Sequence, residues 1–174
     1  YLSVFNQNVV DLTGIADFTA LEVLDCDFSR LTSLDVSQNT TLKELYCANN
    51  LLTNLDISQN TTLIELSCGY NQLTNLDVSQ NTALKELYCD YNQLTNLDIS
   101  QNTALIELSC GFNQLTNLDV SQNTALKGLY CANDGSLSGL ANLDVSQNTS
   151  LESLFCVGNQ LTSLDVSQNT ALIY

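Results

Sequence analysis

Cysteine stands at Cys26, Cys47, Cys68, Cys89, Cys110 and Cys131, always 21 residues apart, and once more at Cys156 after 25. Thiols can hold a metal, form disulfides, act as nucleophiles, or pack as small hydrophobes. A zinc site needs four ligands that converge, usually supplied by C-x2-4-C pairs, and no C-x-x-C occurs here. If one repeat position recurs on neighbouring parallel strands, the thiols form a straight column with a rise of about 4.8 Å. Cβ atoms held that far apart exceed the roughly 3.8 Å a disulfide prefers, and seven cysteines is an odd number. A nucleophile needs an adjacent base, and the chain contains no histidine. The cysteines are therefore expected to be reduced, buried and structural, with no metal and no cofactor.

The elements that position them follow from aligning the chain on its cysteines. Repeats begin at Leu21, Leu42, Leu63, Leu84, Leu105, Leu126 and Leu151 and share L-x-x-L-x-C-x-x-N-x-L-T-x-L-D-[VI]-S-x-N-T-x. A period in the twenties with L-x-x-L-x-L-x-x-N is the signature of a leucine-rich repeat, with cysteine here in the place of one inward leucine. The second half of each repeat, such as LTNLDISQN at 52–60, has the same L-x-x-L-x-I-x-x-N form. Both halves alternate apolar and polar residues, which predicts two extended segments per coil. The expected fold is a right-handed leucine-rich-repeat solenoid, mainly β, with a concave parallel sheet and short convex segments. Residues 1–20 form a looser opening repeat or cap, with Leu12, Ile15 and Phe18 covering the end of the core. Residues 21–174 hold seven full repeats and a truncated one, as expected of a fragment of a longer solenoid, with a loop insertion near 134–139.

Polar residues recur with the same period. Asn50, Asn71, Asn92, Asn113 and Asn159 occupy one turn position, and Asn39, Asn60, Asn81, Asn102, Asn123, Asn148 and Asn169 occupy the other. Buried turns need both donors and acceptors, and an amide supplies both. Asp35, Asp56, Asp77, Asp98, Asp119, Asp144 and Asp165 form a convex column. Calcium would need six to eight oxygens, and capping of the following turn amides is the expected role.

Nineteen acidic residues against four basic ones give a net charge of −15. That charge repels phosphate backbones and anionic lipid surfaces. No apolar run approaches 18 residues. Nucleic acid and membrane insertion are therefore not expected, and the chain is read as a monomer.

On the concave strand, outward residues alternate with the buried Leu and Cys. They place Glu44, Glu65, Glu86 and Glu107 in a central column, with Tyr46, Tyr88, Tyr130 and Phe155 beside it. Tyr70, Tyr91 and Phe112 stand at the strand exit. The Tyr88 and Tyr91 rings are expected to face solvent. Exposed aromatics beside small residues suit recognition of a protein or glycan, while the alternative is that the rings simply cover a pleated sheet as cross-strand fillers.

The 21-residue spacing, the cysteine at the sixth position and the recurrent LTxLDVSxNTxL resemble the cysteine-ladder leucine-rich repeats of bacterial surface proteins, the internalin-like kind. The resemblance implies a non-catalytic protein- or glycan-binding module, exported to the bacterial surface or medium and used in adhesion. The alternative is a structural spacer that displays another domain.

Overall fold

A computed structural model describes residues 1–135 and 139–173, so Ser136, Leu137 and Ser138 of the expected insertion and the terminal Tyr174 lie outside the described residues. Eight short strands follow one another in chain order: β1 (Leu2–Ser3), β2 (Val23–Asp25), β3 (Glu44–Tyr46), β4 (Glu65–Ser67), β5 (Glu86–Tyr88), β6 (Glu107–Ser109), β7 (Gly128–Tyr130) and β8 (Ser153–Phe155). They build one parallel sheet in sequential order. Each strand advances the register by one repeat, so Leu24, Leu45, Leu66, Leu87, Leu108, Leu129 and Leu154 are direct partners. The chain is a parallel-strand leucine-rich-repeat solenoid, as its period implies.

Six inward apolar positions fill each coil. In the coil that starts at Leu63 they are Leu63, Leu66, Cys68, Leu73, Leu76 and Val78, all buried. A coil presents these side chains to the coils before and after it, so no coil buries them alone. Beyond the strand, the Cys68 N–H donates to the Tyr88 carbonyl of the next coil at 2.8 Å, and Cys47 and Cys89 repeat the bond. The second half of the coil is extended, but among the described residues its only bridge is Asp35 to Asp56. Turns at Ser37–Gln38 and Thr40–Thr41 bend the chain there and are repeated in later coils.

The asparagines hold the turns in two different ways. The Asn71 Nδ2 donates to the carbonyls of Cys47, Cys68 and Gly69 at 2.9, 3.1 and 3.2 Å, and its Oδ1 accepts from the Leu52 N–H at 2.9 Å. One side chain thus ties two coils and satisfies its own turn. In the other column, the Asn81 Nδ2 donates to Ile57 and Asn60 carbonyls at 3.0 and 2.9 Å. Its Oδ1 is buried without a partner, as are those of its six equivalents.

At the N-terminal end, β1 adds a strand to the sheet and a 3-10 turn at Ile15–Asp17 lies over the convex half. Ile15 is buried and Leu12 packs against the core. Phe18 does not cover the core as expected; it is 55% exposed. Its carbonyl accepts from Asn39 Nδ2, so the backbone at Phe18 does the tying while the ring stays outside. Among the described residues, no helix is long and apolar enough to cross a membrane.

Candidate functional site

The cysteine column carries no reactive chemistry. All seven thiols are free; Cys26, Cys47, Cys68, Cys89, Cys110 and Cys131 are buried, and Cys156 at the open end is half-buried. Burial pushes the Cys68 and Cys131 thiols up to about 12. It drives Cys47, Cys89 and Cys110 well above the ordinary thiol range. A thiol so far from its thiolate is a poor nucleophile at neutral pH. Ellman's reagent at pH 8 is expected to modify Cys156 slowly in the folded protein and the other six only after denaturation. Fast reaction of two or more thiols would show that the column is wet.

The open face of the sheet is where groups converge. Glu44, Glu65, Glu86 and Glu107 are register partners on β3 to β6, and all four are half-buried. Loss of water, reinforced by the neighbouring glutamates, holds the Glu65 and Glu107 carboxyls above the usual carboxylate range. The column stops at Gly128, where an added Cβ would meet the Glu107 carboxylate, so the glycine leaves room for that side chain to lie across β7.

The tyrosines at the two repeat positions behave differently. Tyr46, Tyr88 and Tyr130 are half-buried. The Tyr88 hydroxyl donates to Glu86 Oε2 at 2.8 Å, and the Tyr46 hydroxyl donates to Glu44 Oε2 at 3.1 Å. The expectation that the Tyr88 ring faces solvent is therefore corrected. A long phenol reaches the carboxylate two residues back on the same face, and the bond lays the ring down on the sheet. Tyr130 instead stacks on Phe155 with centroids 5.3 Å apart, and Phe155 is 49% exposed.

Tyr70, Tyr91 and Phe112 are different. Their rings stack in a row, with centroids 4.1 and 4.2 Å apart, and Tyr70 and Tyr91 are 48% and 38% exposed. All three have left-handed backbones, with φ of 53°, 53° and 51°. A bulky residue there costs on the order of 1–2 kcal/mol, because its Cβ crowds the following carbonyl. The N–H of Tyr91 still donates to the Gly111 carbonyl of the next coil at 3.0 Å. The last coil puts Gly158 at the same repeat position with φ 74°, which is the residue this backbone prefers. That glycine and Asn49, which has the same repeat position and φ of 53°, are the sequence signals that could have revealed the conformation.

Asp27 and Asp90 are also part of this face and were not anticipated as site residues. They take a position otherwise filled by Ala, Gly or, in the last coil, Val157. The Asp27 carboxylate accepts the Ala48 N–H at 2.6 Å and Asp90 accepts the Ser109 hydroxyl at 3.1 Å. Desolvation raises both, Asp27 to about 6.

The convex aspartates show the opposite behaviour. Each accepts the N–H of the serine two residues on, from Asp35 with Ser37 at 3.0 Å to Asp165 with Ser167 at 2.8 Å. Those bonds hold their pKa values low. The signs then set a pH profile. Raised carboxyls (Asp27, Asp90, Glu65, Glu107) cost stability once ionised, so their penalty disappears as pH falls through their folded values. Lowered aspartates stabilise above the unfolded value, and that contribution is lost as pH falls through their depressed ones. Thermal melts are expected to show Tm rising as pH drops from about 7 to about 5, then falling below about 3.5. A Tm that falls steadily from pH 7 downward would contradict this balance.

Fold, period and both ladders define the class: the chain is a cysteine-ladder leucine-rich-repeat solenoid. It is similar to the functional domain of InlJ from Listeria monocytogenes, which includes a cysteine ladder, at 36% identity and TM-score 0.87 over 99% of this chain. A leucine-rich-repeat protein of Leptospira interrogans matches at 29% identity and TM-score 0.85 over 94% of the chain. Internalin C2 of Listeria monocytogenes shares the fold, with TM-score 0.93 at 24% identity over 99% of this chain and 78% of its own. The chain spans 40% of the InlJ structure and 44% of the leptospiral one. No protein-family model and no curated protein sequence matches it.

Proposed function

We propose that the chain is a non-catalytic recognition module of an exported bacterial protein, displayed on the cell surface or released, and that it grips a protein through the concave face of its sheet. The observation that carries this is the Tyr70–Tyr91–Phe112 stack. Three stacked aromatic rings, two of them exposed (Tyr70 and Tyr91) and Phe112 half-buried, are held on a backbone that favours glycine, and strain kept at a surface position points to function rather than to folding. The row stands at the strand exits of the coils that carry the glutamate column, adding apolar surface to an acidic strip, the mixture that protein interfaces use.

A protein partner is favoured over a glycan by the geometry of the stack. Sugars dock on open ring faces, and here neighbouring rings cover each other's faces at about 4 Å, leaving edges and hydroxyls to the outside. The likeness to InlJ supports an adhesive role at a bacterial surface, and the chain is taken as a monomer. The spacer reading requires no ligand, so the two part experimentally. Probing paired arrays of folded proteins and glycans with the chain is expected to return a protein that binds saturably. An empty protein array would favour the spacer, and glycan hits alone would reverse the argument from the stack.

A further inference from the structure

At the N-terminal end of the open face lies a hollow of about 370 Å³, whose lining includes the rings of Phe5 and Tyr46, Val23, and the carboxylates of Asp25, Asp27 and Glu44. Phe5 is 48% exposed and held edge-on by Phe28, with centroids 5.5 Å apart, so its wall is fixed while its remaining surface stays open. Each carboxylate is positioned by the fold. Asp25 accepts the Ser3 hydroxyl at 2.8 Å, Asp27 Oδ1 accepts the Ala48 N–H, and Glu44 Oε2 accepts the Tyr46 hydroxyl. Asp27 Oδ2 and Glu44 Oε1 accept no hydrogen bond among the described residues, although a carboxylate oxygen has lone pairs to spare.

No lysine or arginine lines this hollow, which Tyr1 also borders. Among the described residues the two ion pairs, Lys43 with Glu22 and Lys127 with Glu152, involve none of its three carboxylates. The carboxylates do not form a metal-binding group, and half of the wall is hydrocarbon or aromatic ring, which suits an organic cation rather than a hard ion.

We propose that this hollow binds a lysine or arginine side chain presented by a protein partner, its aliphatic stem against Phe5 and Tyr46 and its cationic head against Asp27 and Glu44. The proposal deepens the recognition reading by naming one chemical feature of the partner, and rests on that reading only for the source of the cation. Charge complementarity selects the head group, and the rings select a cation with an apolar stem.

The test titrates the labelled protein with N-acetyl-arginine methylamide and, in parallel, with N-acetyl-norleucine methylamide, which keeps the stem without the charge. Saturable NMR shifts at Phe5, Asp27 and Tyr46 are expected with the arginine compound, with affinity at least about tenfold weaker for norleucine. Asp27→Asn keeps an acceptor for the Ala48 N–H and is expected to weaken arginine binding about tenfold, as is Glu44→Gln. Asp77→Asn makes the same charge change on the convex side and is expected to leave binding unaltered. Equal binding of the two compounds, shifts spread over every acidic column, or indifference to both Asp27→Asn and Glu44→Gln would overturn the proposal. Any of these would leave the protein array free to return a partner. Arginine binding at the hollow with no protein hit would instead count against the recognition reading alone.

Discussion

Deleting residues 84–104, one complete coil, is expected to leave a folded protein with a single cooperative melt, whereas deleting only residues 84–93 is expected to destroy it. The larger cut joins Ala83 to Leu105, which has the same place in its repeat as the lost Leu84. β6 then pairs with β4 in the register β5 used, and Asn113 takes over the bonds Asn92 makes to the Cys68 carbonyl and the Leu73 N–H. Stability falls by one coil and one interface, about 2 kcal/mol or about 5 °C in Tm. The smaller cut removes β5, Leu87, Cys89 and Asn92 while keeping the convex half of the coil. A convex segment would then face two strands that need a partner. Tm is expected to drop by more than about 20 °C, or the cooperative transition to disappear. Circular dichroism melts of the two variants decide it, and a ten-residue deletion milder than the 21-residue one would mean that the coil is not the unit of this fold.

The two asparagine columns are expected to differ sharply in what they contribute. Asn71→Ala strands the Leu52 N–H and takes one of two donors from the carbonyls of Cys47, Cys68 and Gly69, which keep Asn50, Asn92 and the Asn49 N–H. With about 1–3 kcal/mol for the stranded N–H and about 0.5–1.5 kcal/mol for each lost hydrogen bond, the cost is about 4 kcal/mol. Asn81→Ala removes two donations and also an oxygen that is itself buried without a partner. Losing that unpartnered oxygen offsets part of the damage, so about 2 kcal/mol is expected. Denaturant melts that ranked Asn81→Ala as the worse change would show that the idle Oδ1 is engaged after all.

Much of this fold is legible because periodicity is its cause. A 21-residue recurrence of Leu, Cys and Asn leaves few ways to bury the same residues except by stacking coils, and the structure buries them at those positions. Features set by side-chain choice within one coil are harder to read. The half-buried Tyr88 and the exposed Tyr91 are separated by two residues, and their difference depends on a hydroxyl reaching Glu86 and on a left-handed turn. Gly158 and Asn49 hint at that turn in the sequence, whereas the aromatic residues, which rarely accept it, conceal it. Phe18 was placed inside by its hydrophobicity, whereas the fold uses its carbonyl. Asp27 and Asp90 are hard to pick out because an acid at only two coils of a mostly small-residue position shows no period.

The claim on which the functional account stands is that the aromatic row at the strand exits is the recognition surface. The direct measurement is the affinity of an array-identified protein partner for Tyr91→Gly beside the convex double variant Gln80→Ala/Gln101→Ala. Glycine suits the left-handed backbone and regains about 1 kcal/mol there, offsetting part of the two lost ring contacts, each about 0.5–1.5 kcal/mol. The variant therefore stays folded while the centre of the row is gone. Loss of affinity by at least about thirtyfold is predicted for Tyr91→Gly, with the convex variant within about twofold of the unaltered protein. Unchanged binding by Tyr91→Gly together with loss in the convex variant would place the recognition surface on the other side of the solenoid.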